Sequence, residues 1–208
     1  MIKVFGDSHA LMFGPEFGVH CGAITAYNLD NKHNDLIFPL LKKHNVIKRP
    51  IEKVGFLFGE VDCRLHIYNL HMTTGEEITN LIYNAVEKYM NYLIMLEEEK
   101  ICEPVVYCLV PTGIQDNIYN YIHHANYEKR KMITIIFNHY LSVFCKKHLF
   151  IFINYFNLVS DIKGNRLEKY IKDRVHLNQD AGKMITNFTE SIFLHNEWGK
   201  NNVNKNRK

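Results

Sequence analysis

Short, uninterrupted apolar runs alternate along this chain with longer segments in which apolar residues recur every three or four positions. IKVF (Ile2–Phe5), stopped by Gly6, reads as a buried strand. So do KVGFLFG (Lys53–Gly59), EPVVYCLVP (Glu103–Pro111) and HLFIFINYF (His148–Phe156). AITAYNL (Ala23–Leu29) reads as a second strand or an extended loop. The helical segments are Asp35–His44, with Pro39 near its start, a long stretch around 75–100, Tyr127–Lys147, and a closing segment that begins near Asn178 or Asp180. In the second of these, Ile78, Leu81, Ile82, Ala85, Tyr89, Leu93 and Leu96 fall on one face.

Continuously apolar strands separated by helical crossovers predict an α/β fold. The expected architecture is a three-layer α/β/α sandwich around a mostly parallel, flavodoxin-like sheet. Ligands of such sheets bind at the carboxyl ends of the strands. Here those ends carry GDSH (Gly6–His9), GEVDCR (Gly59–Arg64) and PTG (Pro111–Gly113), so they form a polar rim.

With 208 residues, 47% of them hydrophobic, the chain suits one domain over residues 1–198 with a polar, basic, flexible tail at 199–208. The net charge of +3 is small and its basic residues are dispersed, which gives nucleic-acid binding little support. Five scattered cysteines, Cys21, Cys63, Cys102, Cys108 and Cys145, include no C-x-x-C pair and suit reduced thiols better than a disulfide framework. No leader pattern or membrane-spanning apolar run is visible, so the expected location is the cytoplasm. Oligomeric state leaves no signature.

Three constellations carry candidate chemistry. Ser8 follows a strand and a glycine, where it is either a helix cap or a nucleophile at a helix N-terminus. Asp173 and His176, three positions apart before the last helix, are either incidental loop residues or a base with its orienting carboxylate. Glu60, Asp62 and Arg64 follow a buried strand within five positions, as a solvated loop or as part of a site. His20 and Cys21 have no further ligands at metal spacing, and a buried structural cysteine is the simpler reading. His123 and His124 lie in a Tyr- and Asn-rich stretch whose Tyr119, Tyr121 and Tyr127 suit an exposed aromatic loop or a surface for stacking on sugar rings.

Taken together, these blocks resemble the SGNH/GDSL hydrolase superfamily. GDSH is similar to its first block, GEVD falls where Gly-x-Asn-Asp is expected, and DRVH (Asp173–His176) matches its closing Asp-x-x-His. FGEVDCR and GAITAYNL look like a subgroup associated with glycan modification. The resemblance implies Ser8 as nucleophile, His176 as general base and Asp173 as its orienting carboxylate. It also implies backbone oxyanion donors at Ser8 and at Gly22, with Gly18 an alternative to Gly22. The third-block asparagine is replaced by Val61, which has no hydrogen-bond donor in its side chain. Asn28 and Arg64 are the expected substitutes, and Arg64, together with Asp62, is a candidate for substrate binding. The implied activity is hydrolysis of a small acyl ester, such as an acetyl group on a carbohydrate, needing no metal or organic cofactor. Alternatives are an O-acyltransferase with the same triad and a non-catalytic glycan-binding or assembly module on the same scaffold.

Overall fold

The structure is a computed structural model that describes residues 2–22, 24–29, 37–47, 51–114 and 123–205, with side chains as far as residue 195. Its sheet has five strands, β1 (Val4–Gly6), β2 (Gly18–His20), β3 (Lys53–Leu57), β4 (Glu103–Tyr107) and β5 (Ile151–Ile153). Their order is β2-β1-β3-β4-β5, and every pairing is parallel. Phe5 sits opposite both Val19 and Phe56, Gly55 opposite Val105, and Val106 opposite Phe152. Among the described residues the α-helices are α1 (Ile37–Lys43), α2 (Ile67–Thr74), α3 (Ile78–Glu98), α4 (Tyr127–His148), α5 (Phe156–Val159) and α6 (Gln179–Lys205). The three-layer α/β/α architecture expected from the alternation of patterns is the one observed.

The seven-residue stripe on α3 is buried throughout, joined by Val86, Met90 and Tyr92. With α4 it covers one face of the sheet. On the opposite face, Tyr107 of β4 packs edge-on against Phe13 and donates to Thr189 Oγ1 of α6 at 3.2 Å. Pro39 is the third residue of α1, where its missing N–H removes no helical bond.

Three elements differ from the sequence reading. The second strand is Gly18–His20, whose single strongly apolar residue leaves almost no periodic signal. Ala26–Asn28 is instead a 3-10 turn. The Glu60–Arg64 stretch is helical, entering α2 through a π turn at Asp62–His66 in which Ile67 N–H reaches the Asp62 carbonyl. That winding turns Glu60, Asp62 and Cys63 inward, so the segment is not a solvated loop. Finally, α6 continues to Lys205, into the segment read from sequence as a tail.

Pairing on β4 stops at Tyr107 because β5 is short, yet the chain beyond it stays buried. Cys108 N–H still donates to the Ile153 carbonyl. The Asn138 amide of α4 then closes on Leu109, accepting its N–H at 2.6 Å and donating to its carbonyl at 3.1 Å. This side chain replaces the missing neighbour strand. Asn138→Ala leaves two buried backbone groups unpaired and should cost about 2–3 kcal/mol in urea unfolding, with no change in the folded far-UV spectrum.

Candidate active site

The junction after β1 shows which residue caps the helix there. Asp7, not Ser8, is the cap of the 3-10 helix Ser8–Phe13, accepting the His9 N–H at 2.9 Å. The Ser8 hydroxyl is thereby left for another partner, and the Ser8 N–H heads a helical turn with no acceptor from the turn itself. At the other end of the chain, Ile171 and Leu177 pair across a tight loop. Asp173 Oδ1 organises that loop by accepting the N–H groups of Val175 and His176, both at 2.7 Å.

The loop brings His176 to Ser8. His176 Nε2 lies 2.8 Å from Ser8 Oγ, and its Nδ1 lies 3.0 Å from Asp173 Oδ2 and 3.1 Å from Oδ1. An ionised carboxylate only accepts, so Nδ1 carries the ring proton and donates. Nε2 is then the acceptor of the Ser8 hydroxyl. Asp173 is ionised down to low pH: partial burial opposes its charge, but the His176 and Val175 N–H groups and the His176 ring hold it at about 2. The pair is open to solvent, with His176 and Asp173 side chains 30% and 47% exposed.

Two close backbone approaches seat this machinery. The Arg174 carbonyl rests where a Gly113 Cβ would be, against the loop after β4. The Met12 carbonyl rests likewise on Gly182 in the first turn of α6. Asn178 caps α6, its Oδ1 accepting the N–H groups of Asp180 and Ala181 at 3.1 Å. A cavity of 420 Å³ opens beside Ser8 and His176, walled by Leu11 and Met12 on one side and by Lys172, Asn178 and Gln179 on the other.

The remaining site candidates occupy varied places. Gly22, at φ 86°, is exposed just beyond β2. Asn28 is exposed too, and its amide donates to Thr25 Oγ1 at 2.8 Å. Arg64 Nε donates to Glu60 Oε1 at 2.7 Å. Asp62 is 1% exposed and ties two segments together, accepting from Ala26 N–H at 2.7 Å and Tyr27 N–H at 3.2 Å. All five cysteines are free and buried. Burial pushes the Cys21 thiol up to about 12, so it offers no thiolate at neutral pH. Tyr119 and Tyr121 lie outside the described residues, and Tyr127 donates its hydroxyl to Asn165 Oδ1.

Sequence reasoning missed His9 and Arg166. His9 is 2% exposed, with Nδ1 at 3.0 Å from Asp7 Oδ1 and 3.8 Å from Glu60 Oε2. Asp7, His9 and Glu60 bring potential ligand atoms within 4.8 Å of one another. Glu60 Oε1 is paired with Arg64 and Asp7 Oδ1 accepts a backbone N–H, while Asp7 Oδ2 and Glu60 Oε2 are buried without a hydrogen-bond partner. Arg166 Nε donates to the Pro111 carbonyl at 2.6 Å. Only the unusual "H" after GDS hinted at His9, and nothing in the spacing marked Arg166.

No family model matches this chain, and no curated protein matches it. Solved structures do. An acetyl xylan esterase, AlAXEase, is 14% identical over 92% of this chain and 99% of its own, with a TM-score of 0.56. A protein described as a lipolytic member of the G-D-S-L family, from Desulfitobacterium hafniense DCB-2, is 13% identical over 92% and 99%, with a TM-score of 0.54. The OSK domain of Drosophila Oskar is 11% identical over 91% and 86%, with a TM-score of 0.58. The chain has the SGNH/GDSL hydrolase-like fold. Among its described residues, no helix is long and apolar enough to cross a membrane.

Asp62 supplies a pH test of this local architecture. Burial raises its carboxyl to about 6, against the N–H groups of Ala26 and Tyr27 that favour the charged form. Between an unfolded value of about 3.9 and this folded value, the native chain holds a proton that the unfolded chain has lost. The contribution to stability is therefore full below about pH 4 and declines as pH rises through about 6. Relative to Asp62→Asn, the wild type should lose about 2–3 kcal/mol of unfolding free energy between pH 4 and pH 7. Parallel pH dependences in urea titrations would contradict it.

Proposed function

We propose that this protein is a serine esterase that removes a small acyl group from an ester through a Ser8 acyl-enzyme. The observation that carries the reading is the chain of contacts from Ser8 Oγ to His176 Nε2 and from His176 Nδ1 to Asp173. In this reaction Ser8 Oγ attacks the ester carbonyl while its proton passes to His176 Nε2. The tetrahedral oxyanion is held by the N–H of Ser8 and, in this reading, that of Gly22. Collapse of the tetrahedral intermediate expels the alcohol, which takes the proton from His176. Water then gives a proton to His176 as it attacks the acyl carbon, and collapse of this second intermediate releases the acid and expels Ser8 Oγ, which takes the proton back from His176. The polar wall of Lys172, Asn178 and Gln179 suits a hydroxyl-rich alcohol such as a carbohydrate, and the apolar Leu11 and Met12 suit a short acyl chain such as acetyl. Similarity in fold to an acetyl xylan esterase supports the same class. The solvent-open dyad favours water over a sugar hydroxyl as acceptor, because acyl transfer requires water to be kept out.

Val61 marks the limit of this catalyst. It supplies no third oxyanion donor, the Asn28 amide is engaged by Thr25, and Arg64 Nε is engaged by Glu60. A missing donor is worth about 3–4 kcal/mol of transition-state stabilisation. The same absence favours a non-catalytic role for the scaffold, and the kinetics below separate the two readings.

Wild-type protein should hydrolyse p-nitrophenyl acetate slowly but measurably, and Ser8→Ala should fall to the uncatalysed rate. Asp173→Asn should lower kcat by about 10³-fold or more, because its amide no longer selects the Nδ1–H tautomer of His176. Wild-type turnover equal to that of Ser8→Ala would leave the non-catalytic reading. Val61→Asn restores the missing donor and should raise kcat by about 10²–10³-fold with little change in KM.

A further inference from the structure

Behind the Ser8–His176 pair lies a second Asp–His pair that the proposed chemistry does not use. His9 Nδ1 lies 3.0 Å from Asp7 Oδ1, and His9 Nε2 lies 3.0 Å from the Val175 carbonyl. Both partners are acceptors, so both ring nitrogens must be donors, which only the imidazolium provides. The carboxylates of Asp7 and Glu60 face His9, and the guanidinium groups of Arg64 and Arg166 lie about them. Burial opposes the His9 charge, but the carboxylates of Glu60 and Asp7 outweigh it and raise the group above its ordinary value; Arg166 acts in the lowering direction.

Val175 is the residue immediately before the base. Its carbonyl is gripped by His9 from below while its N–H is gripped by Asp173 Oδ1 from within the loop. The His9 and His176 rings also lie close, with centroids 5.0 Å apart and planes inclined by 38°. The groups facing His176 are thus Ser8 and Asp173 by hydrogen bond and His9 by ring contact, with Lys172 on the wall of the same cavity.

We propose that His9 is a standing imidazolium at neutral pH that acts as a positioning residue, fixing the Val175 carbonyl and biasing His176 toward its neutral, base-competent form. The proposal rests on the reading of His176 as the base for Ser8, and it goes beyond that reading by assigning a charge and a task to a buried residue outside the triad. The charge of His9 makes a second positive charge on the neighbouring ring less favourable. Glu60, paired with Arg64, keeps His9 charged from the far side.

The experiment is long-range ¹H–¹⁵N spectroscopy of the full chain labelled at histidine, with His9→Gln used for assignment and comparison. At pH 7 both ring nitrogens of wild-type His9 should be protonated. Addition of zinc chloride should leave its resonances unmoved. In His9→Gln the titration midpoint of His176 should rise by about 0.5–1 pH unit, a change that a purely structural role would not produce. A neutral His9 tautomer at pH 7, a zinc-induced shift of its resonances, or an unmoved His176 midpoint in His9→Gln would each overturn the proposal. The wild-type spectrum decides the charge even where His9→Gln fails to fold. None of these readouts needs turnover, so failure of the esterase reading, seen as equal rates for wild type and Ser8→Ala, remains separate.

Discussion

The hydrogen bond between Ser8 Oγ and His176 Nε2 joins two segments 168 residues apart, and the arrangement of the site depends on keeping that 2.8 Å contact. Neither partner holds itself in place. Ser8 is set by the Asp7 cap at the end of β1, which frees its hydroxyl from capping. His176 is set by a loop pinned at three successive residues. The Arg174 carbonyl sits on Gly113, the Val175 carbonyl on His9, and the His176 ring on Asp173. Parallel strand order makes this possible, because β1, β3 and β4 are neighbours and all present their carboxyl ends to one edge of the molecule.

Much of this was legible in the sequence where the signal was local and repeated. The α3 stripe follows the helical period for five turns, and the long apolar runs around β3 and β4 have no plausible helical reading. The Ser8, Asp173 and His176 positions were readable because each sits in a short block with a distinctive composition, and the structure brings all three together. The gaps have physical causes. A three-residue strand such as Gly18–His20 contains too few positions to show alternation. Charged residues after a strand look like solvent-facing loop, so the inward turn of Glu60 and Asp62 could not be read. Their partners lie largely outside the block: His9 faces Glu60, which also meets Arg64 one turn on, and the Ala26–Tyr27 backbone holds Asp62. His9 was invisible as a charged group because its acceptors come from Asp7 and from Val175, which are far apart in sequence.

Charge is organised here in two tiers. The outer tier, Asp173 and His176, is solvent-accessible, as the proposed role of His176 as a base requires. The inner tier is Asp7, His9 and Glu60, all buried, with the partly buried Arg64 paired to Glu60, and the proposed chemistry uses none of them as a reactant. Buried ion pairs of this kind add little net stability, but removing one member is costly. That asymmetry makes the inner tier suited to holding the outer one in a single geometry. In the proposed reaction the oxyanion side is sparse by comparison, with Val61 where a side-chain donor would strengthen catalysis.

The central claim is that Ser8 is a nucleophile activated by His176, and intact-protein mass spectrometry after exposure to a fluorophosphonate tests it most directly. The account predicts a single covalent adduct on wild-type protein, mapped to Ser8, that is absent from Ser8→Ala and forms far more slowly on His176→Ala. Failure of the wild type to label, or labelling of Ser8→Ala at the wild-type rate, would contradict it.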